Sequence, residues 1–430
     1  MWRAALFDQS KSFIQVPLFG EAPPTSREDL IWPGADGVVR TEFDRLMRQA
    51  GQLMSRHLPV AMAAVLGQVD GALCRELSEQ VRRSAECICW AGEGPLLTVI
   101  LRRGLVAELR PMMNDMFVRY PDLFVGVAIS DQLADEHDLW LAARLALQSA
   151  MAKRDNVVIL DAEEASRSVE EYLMANAMRR DLHDGGRGFA AYYQPQVNLA
   201  CNVPAGIEAL ARWTWNQDRV PPATFVPVAE KYGLVGRLGE IMLGHAARTL
   251  TTLRREGICL PKVAVNVSPD QMTRGDFLRT ALDLMREEGL TPGDIELEIT
   301  ESLAGSGGEE FHRWLGDLVA AGFSVAIDDF GTGTSTLARI REIPASKLKL
   351  DRALVAPLPD DVSGRRVCGM AVGLAKSLGM VSLAEGVETK EQADWLRAAG
   401  CQLGQGYYWA RPLPESEIGP WWQRQLAQAQ

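Results

Sequence analysis

Eight strand-like runs, separated by helical segments, constrain the fold of this chain more than any other feature, and all of them follow Gly188. In chain order they read FAAYYQPQVNL, AGIEALARW, KVAVNVS, DIELEIT, FSVAIDD, SKLKLD, VSLAEGV and CQLGQGYY. Segments with helical periodicity, such as FLRTALDLMREEG, separate every pair except the first. Eight such strands over about 240 residues are typical of a TIM-like (β/α)8 barrel, and a doubly wound open sheet is the alternative.

The first two runs are joined only by the short segment ACNVP. A crossover helix between parallel strands needs a dozen or more residues, so these two strands should be antiparallel. The sequence therefore predicts an α/β barrel over residues 189–430 that begins with an antiparallel strand pair.

The residues before the barrel have a different organisation. Strand-like and helical patterns alternate from residue 58 to 162, which predicts a smaller α/β domain. Residues 1–57 include GEAPPTSRED and WPGADG, rich in residues that interrupt regular structure, and we assign this segment no function. Apolar residues at helical spacing over 163–188 predict a connecting helix that stops at Gly185 and Gly186, or else a helix that packs only on the N-terminal domain.

Composition and charge exclude several classes of protein. The 430 residues are 47% hydrophobic and carry a formal net charge of -11 without a cluster of Lys and Arg, which disfavours a surface for duplex DNA or RNA. No apolar run reaches about 18 residues and no basic start precedes an apolar stretch, so we expect no membrane span, no export signal and a cytoplasmic location. Cys87 and Cys89 share one face of a strand, which favours core packing over a metal or redox pair.

Polar side chains stand at almost every strand end, where the active sites of such barrels form. They are Glu208, Asn266, Glu298, Asp328, Asp329, Lys349, Asp351, Glu385 and Gln405. A single carboxylate at a strand end could be a helix cap or a surface charge. Helix capping does not explain why polar residues recur at so many strand ends. Carboxylates packed together need cations, and oxygen ligands without His or Cys favour Mg²⁺ or Mn²⁺. The adjacent Asp328 and Asp329 suit two ions about 3.5–4 Å apart, the arrangement that serves phosphoester hydrolysis.

The same segments resemble the successive motifs of EAL-domain cyclic di-GMP phosphodiesterases. The matching segments are YYQPQVNL, GIEALARW, VAVNVS, ELEITES, AIDDFGTGTSTL, LKLD, LAEGVET and GQGYYWARPL, in order between Phe189 and Pro414. The resemblance implies hydrolysis of cyclic di-GMP to linear pGpG with two Mg²⁺ or Mn²⁺ ions, and a homodimer formed through the barrel. The alternative is a nonhydrolytic cyclic di-GMP receptor or an interaction scaffold, which the intact set of metal-binding residues disfavours.

The resemblance also implies a role for individual residues. Five would bind metal, with Asp328 shared between the two ions: Glu208, Asn266, Glu298, Asp328 and Asp329. Lys349 would orient the attacking water, and Glu385 and Gln405 would complete the shell of water and metal, so that the catalytic set is Lys349, Glu385, Glu208, Asp329 and Gln405.

Three further residues match positions around the substrate. Arg212 would meet a phosphate, although a surface salt bridge is the alternative, and Gln194 would contact the ligand near a guanine. Glu301 would order the loop after Asp329 without binding metal. This chain has Thr334 and Thr336 where active relatives commonly have an aromatic residue and a serine. We expect these differences to alter the position of the loop after Asp329 and the catalytic rate.

The N-terminal domain resembles a GGDEF diguanylate cyclase domain in its closing stretch, LFVGVAISDQLADEHDLWLAARLALQSAMAKRDNVVIL. The signature hairpin of such a domain falls on Ala91-Gly92-Glu93-Gly94-Pro95 here. Pro95 and the missing acid at Gly94 disfavour a metal site for GTP. The resemblance therefore implies a degenerate, noncatalytic and regulatory GGDEF-like domain, with an unrelated α/β sensor as the alternative. The inhibitory motif of cyclases is not clearly present, since Arg83 to Glu86 matches it only distantly.

Overall fold

The computed structural model describes residues 46–55 in part, 60–66, 89–91, 96–102, 106–268, 271, 276–306, 308–332 and 337–429. Outside these residues lie most of the predicted N-terminal segment 1–57, Arg83 to Glu86, Cys87, the signature residues Gly92 to Pro95, and Thr334 and Thr336. The chain divides into two compact units, residues 1–176 and 177–430.

Where the first unit is described, it contains one mixed sheet with helices. Its elements are β1 (Val60–Leu66), β2 (Cys89–Ala91), β3 (Leu96–Arg102), α1 (Val106–Arg119), β4 (Phe124–Ile129), α2 (Glu136–Lys153) and β5 (Val157–Leu160). The strand order is β2-β3-β1-β4-β5, with β1 antiparallel to both neighbours and β5 parallel to β4. Buried Val125 and Val127 of β4 pack with Leu109 and Met113 of α1 in the core of this unit.

The packing of α2 on β4 depends on Gly126. A Cβ added there would lie 2.0 Å from the backbone nitrogen of Leu147 and 2.4 Å from the carbonyl oxygen of Ala143. Because neither backbone atom can move without separating the helix from the sheet, Gly126→Ala is expected to lower the free energy of unfolding by about 3 kcal/mol. Chemical denaturation followed by circular dichroism measures this change.

A matched glycine provides the control for that prediction. Gly316 lies inside a helix, and no atom lies within 4 Å of a Cβ added to it. Gly316→Ala should leave stability unchanged or raise it by about 0.5–1 kcal/mol, because alanine is the better helix former. Equal denaturation midpoints for the two variants would contradict this account of Gly126.

The helix α3 (Ala162–His183) crosses the division between the two units and occupies most of the predicted connecting segment 163–188. Gly185 and Gly186 follow it with φ values of 80° and 81°. Glycine adopts this left-handed backbone without steric cost, which explains why the helix stops here.

The second unit is built on strands that alternate with helices. Its first half contains β6 (Phe189–Asn198), β7 (Pro204–Trp215), β8 (Asp218–Val220), α4 (Pro222–Lys231), α5 (Val235–Arg255), β9 (Val263–Asn266), α6 (Phe277–Glu288), β10 (Ile295–Thr300) and α7 (Glu301–Ser306). Its second half contains α8 (Glu309–Ala320), β11 (Ser324–Phe330), α9 (Leu337–Glu342), β12 (Lys347–Leu350), α10 (Arg352–Val355), α11 (Val362–Ser377), β13 (Val381–Ala384), α12 (Lys390–Ala398), β14 (Leu403–Gln405), β15 (Leu413–Pro414) and α13 (Glu415–Ala429).

Eight of these strands form a closed barrel. Their order is β6-β14-β13-β12-β11-β10-β9-β7, and β7 pairs again with β6 to close the ring. Strand β6 is antiparallel to both β7 and β14, whereas the other pairs in the ring are parallel. The predicted TIM-like barrel with an antiparallel first strand pair is therefore confirmed, and the open sheet is wrong.

The alternation of side chains along each strand separates the barrel interior from its outer wall. On β10, Glu296 and Glu298 point into the barrel, while Leu297 and Ile299 are buried on the other face. In the part of the chain that the structure describes, no helix combines the length and apolar character needed to cross a membrane.

Candidate active site

Seven barrel strands bring the predicted polar residues together at one end of the barrel, with Glu208 in the middle of β7 and the others at or near the carboxyl ends of their strands. Contributing strands are β7, β9, β10, β11, β12, β13 and β14, and the residues are Glu208, Asn266, Glu298, Asp328, Asp329, Lys349, Glu385 and Gln405. Asp351 is different, because its carboxylate accepts a hydrogen bond from the backbone nitrogen of Ala353 and caps α10. A strand-end acid can therefore be a helix cap, as Asp351 is.

Lys349 lies at the centre of the cluster and is 0% exposed. Its Nζ lies 2.8 Å from Glu385 Oε1, 3.0 Å from Glu298 Oε1, 3.1 Å from Asp328 Oδ1 and 3.4 Å from Glu208 Oε2. These contacts are ion pairs without well-directed hydrogen bonds from the ammonium group. One positive charge cannot neutralise four surrounding carboxylates, so the cluster has an excess of negative charge.

The carboxylates of Glu208 and Glu298 are held in different ways. Asn266 Nδ2 donates to Glu208 Oε1 at 3.0 Å, and Gln405 Nε2 donates to Glu208 Oε2 at 2.6 Å. Burial works to raise the pKa of Glu208, yet Lys349 and these amide donors together outweigh it and hold that pKa below its usual value. Both carboxylate oxygens of Glu298 are buried, and no described residue makes a well-directed hydrogen bond to either of them. Buried oxygens without a donor are costly for a protein alone and suited to a cation.

Among the residues that the structure describes, two sets of carboxylate oxygens have the spacing of metal ligands. Oxygens of Glu208, Glu298 and Asp328 lie within 4.8 Å of one another, and so do oxygens of Asp328, Asp329 and Glu385. Because Asp328 belongs to both sets, two cations held there would share one carboxylate. All of these donors are oxygens, which fits Mg²⁺ or Mn²⁺ better than zinc.

The pKa values of four acids, Glu298, Asp328, Asp329 and Glu385, rise because the cluster is buried and negative. Burial, reinforced by repulsion from Glu208, raises the pKa of Glu298 well above its usual value. Burial raises the pKa of Asp329 to about 6, and repulsion from Asp328 adds to this. Burial also raises the pKa of Glu385 to about 8. A cation that binds these groups must therefore displace protons.

These shifts predict how the stability of the metal-free protein depends on pH. A carboxyl whose pKa is raised on folding binds more protons in the folded than in the unfolded chain, between its unfolded value of about 4 and its folded value. The free energy of unfolding should therefore fall as the pH rises from about 4 to about 8, the window set by Asp329 and Glu385. Thermal unfolding in chelator at several pH values measures this. Stability that increases with pH across this window would contradict it.

The cluster opens into a cavity of about 310 Å³. Gln194 lines it, accepts a hydrogen bond from Gln405 Nε2 at 3.2 Å and donates to the carbonyl oxygen of Ala410 at 3.2 Å. Arg212 does not line it: its guanidinium group lies 5.3 Å from the ring centroid of Tyr192 and donates to the carbonyl oxygen of Ala211. The structure thus brings Gln194 to the cavity and leaves Arg212 beside it.

Two carboxylates hold the end of β11 and the residue that follows it. Glu301 is 3% exposed, and its Oε2 accepts a hydrogen bond from the backbone nitrogen of Gly331 at 2.8 Å. Asp328 Oδ1 accepts from the backbone nitrogen of Asp329 at 2.9 Å. Asp329 has a φ of 55°, which is uncommon for a residue other than glycine and is maintained by such surrounding contacts.

Sequence reasoning missed three residues that line the cavity: Arg352, Glu388 and Tyr407. Arg352 Nη2 lies 2.8 Å from Glu388 Oε1, and both side chains are largely exposed. Both residues follow the strand ends of β12 and β13 by a few positions, so a search extended beyond the last residue of each strand would have found them.

Comparison with known proteins agrees with this geometry. The family model described as EAL domain matches residues 175–412, more than half of the chain. The uncharacterized protein y4lL of Sinorhizobium fredii is 32% identical over 408 residues, which cover 92% of this chain and 47% of that protein. The protein named cyclic di-GMP phosphodiesterase PA2567, from Pseudomonas aeruginosa, is 35% identical over 238 residues, which cover 55% of this chain and 40% of that protein.

A solved structure described as PaMucR phosphodiesterase in complex with c-di-GMP is 33% identical, with a TM-score of 0.53 over 56% of this chain and 99% of that one. The chain spans less than half the length of the two curated relatives described above. The closed eight-strand barrel, the carboxylates at its strand ends and the family match over residues 175–412 together place this chain in the EAL domain family.

Proposed function

We propose that this protein hydrolyses cyclic di-GMP to linear pGpG with two Mg²⁺ or Mn²⁺ ions. The observation that carries the proposal is the pair of carboxylate sets that share Asp328 around the buried Lys349. Proteins that match this chain over the barrel are named as cyclic di-GMP phosphodiesterases, which supports the choice of substrate.

The ligands for the ions are the five residues Glu208, Asn266, Glu298, Asp328 and Asp329. When bound, the ions supply positive charge that favours a deprotonated water and stabilises charge on the scissile phosphate. Asn266 donates its Nδ2 to Glu208, and its amide oxygen is the atom that would bind the ion.

Lys349, Glu385 and Gln405 act on the attacking water and on the ligand shell. Lys349 orients the attacking water by its ammonium group. Glu385, whose carboxylate lies 2.8 Å from that ammonium group, accepts a proton from the water. Gln405 fixes the carboxylate of Glu208 and therefore the position of one metal ligand. Glu301 acts through Gly331 on the turn that carries Asp329, without binding metal.

Gln194 and Arg212 bind the substrate. Gln194 lines the cavity, and its amide would contact a guanine of the substrate. Arg212, half-buried beside Tyr192, turns its guanidinium group to a substrate phosphate when the ligand is bound.

Incubation of the purified protein with cyclic di-GMP and Mg²⁺, followed by chromatography, tests the proposal. We expect pGpG as the product, no turnover in excess chelator, and inhibition by Ca²⁺, whose longer and looser coordination misplaces the water. Undiminished turnover in chelator would reject the metal-dependent mechanism. Tight binding of cyclic di-GMP without pGpG in Mg²⁺ or Mn²⁺ would favour the alternative, a nonhydrolytic receptor or scaffold.

We propose further that the N-terminal unit is a degenerate GGDEF-like domain with a regulatory role. The signature hairpin lacks an acid at Gly94 and has proline at position 95, so it offers few carboxylates to a metal. Protein given GTP and Mg²⁺ should therefore make no cyclic di-GMP. Product that disappears in Glu93→Gln would contradict this assignment.

The proposed homodimer forms through the barrel. Helix α11 exposes apolar side chains of Val362, Val367 and Met370, the last of which is 75% exposed. A second copy of the chain would cover them. Light scattering of the purified protein should give the mass of a dimer, and Met370→Glu should shift it toward that of a monomer.

A further inference from the structure

A second charged layer lies inside the barrel, next to the layer of the proposed active site. Lys347 forms an ion pair with Glu296, and its Nζ donates to Gln196 Oε1 at 2.9 Å. These three residues are 6%, 2% and 2% exposed. We call them the internal brace, because they link strands β12, β10 and β6 across the barrel interior.

Each member of the internal brace stands two residues from a predicted site residue on the same strand. Lys347 precedes Lys349, Glu296 precedes Glu298, and Gln196 follows Gln194 on the antiparallel strand β6. Side chains two residues apart share one face of a strand and lie about 6.6 Å apart along it. The internal brace therefore lies immediately beneath Gln194, Glu298 and Lys349.

Small residues make room for these long side chains. One of the two register partners of each residue is small: Gly206 opposite Gln196, Ala264 opposite Glu296 and Ala326 opposite Lys347. A Cβ added at Gly206 would lie 3.4 Å from Gln196 Oε1, so the space is already used. A buried ion pair seldom adds stability over apolar residues of similar volume. We therefore expect the internal brace to affect the positions of the residues above it more than the stability of the fold.

Glu298 is the site residue that most needs such support. Glu208 has two amide donors, whereas no described residue donates a well-directed hydrogen bond to the carboxylate oxygens of Glu298, whose Oε1 lies 3.0 Å from the ammonium group of Lys349. The shift of β10 relative to β12 along the barrel axis determines the distance between the carboxylate of Glu298 and the ammonium group of Lys349. The ion pair of Glu296 with Lys347 links these same two strands one layer below.

We propose that the internal brace positions Glu298 and Lys349 for the metal ion and the attacking water, an inference that rests on the proposed function. Its members touch neither substrate nor metal, so they are positioning residues. Their loss should change metal affinity and kcat more than it changes KM for cyclic di-GMP.

The test replaces all three members by methionine, in the variant Lys347→Met, Glu296→Met and Gln196→Met. The ion pair is neutral overall, so the variant removes the link without changing the net charge of the layer. We expect the free energy of unfolding to stay close to that of the parent, while Mn²⁺ affinity and kcat each fall by about 10-fold or more. Calorimetric titration with Mn²⁺ measures the affinity without substrate. A folded variant with the affinity and kcat of the parent would overturn the proposal.

A single variant decides the question if the triple variant does not fold. Gln196→Met removes one arm of the internal brace and leaves the ion pair and the charge intact. It should weaken Mn²⁺ binding about threefold, which is less than the effect of removing all three residues because the ion pair remains. Unchanged Mn²⁺ affinity would overturn the proposal. The control is Thr249→Val. It removes a buried 2.7 Å hydrogen bond between Thr249 and Tyr193, which lies on β6 like Gln196 but outside the internal brace. This control should leave Mn²⁺ affinity unchanged.

The outcomes for the proposed function and for the internal brace are separable. Parent protein that binds Mn²⁺ but never forms pGpG would reject the proposed function, and the Mn²⁺ titrations would still decide the role of the internal brace. Parent protein that forms pGpG, with variants of unchanged affinity and kcat, would reject the internal brace alone.

Discussion

Lys349→Ala is expected to lower kcat for cyclic di-GMP hydrolysis by about 10²-fold or more, the order seen when one positioned stabilising group is deleted. The Lys349 ammonium group is buried among four carboxylates at 2.8 to 3.4 Å, where it can hold a water near both carboxylate sets. If its role is to orient that water, the lost interaction is strongest in the transition state. KM should change little, because the metal ligands and Arg212 remain.

A titration with Mg²⁺ separates this role from a simpler one. If Lys349 only neutralises the surrounding acids, its loss should weaken metal binding, and kcat should recover fully at high Mg²⁺. Such recovery would reject the role in water orientation. Lys376→Ala is the control, because this exposed lysine lies on α11 and not in the cluster, and its kcat should equal that of the parent.

Asp328→Asn should lower kcat by about 10³-fold or more, since Asp328 is the one residue common to both carboxylate sets. The same change should raise the stability of the metal-free protein. Burial raises the pKa of Asp328 even though Lys349 works to lower it, so at neutral pH the ionised carboxylate costs free energy in the fold. An uncharged amide of the same shape removes that cost.

Activity and thermal unfolding of Asp328→Asn in chelator check both expectations. Loss of activity with a higher melting temperature would show a site that trades stability for metal binding. A lower melting temperature in chelator would contradict the electrostatic account. Asp317→Asn, an exposed acid on α8, should change neither quantity.

Local patterns predicted the barrel because period-two runs alternate with helical ones and because ACNVP is too short for a crossover. They also placed polar residues at the strand ends. The internal brace could not be predicted in this way, since the ion pair of Lys347 with Glu296 depends on the register of strands whose sequences do not reveal it. Asp351 shows the converse, because a strand-end acid in sequence became a helix cap in structure.

In the N-terminal unit, alternating patterns indicated an α/β organisation but not the order of its strands. Strand β1 lies in the middle of the sheet, between β3 and β4, and is antiparallel to both. Such pairings join segments that are distant in sequence, and local propensity does not determine them.

The antiparallel strand β6 has a consequence for how the barrel folds. It pairs with β7, which follows it closely, and with β14, where Gln196 lies opposite Gln405. The ring cannot close during synthesis until β14 has left the ribosome. Until then β6 presents one unpaired edge, which is a template for pairing with other chains. Contacts this distant in sequence slow folding, so we expect barrel closure to be a late and slow step, and chaperones that shield strand edges to raise its yield.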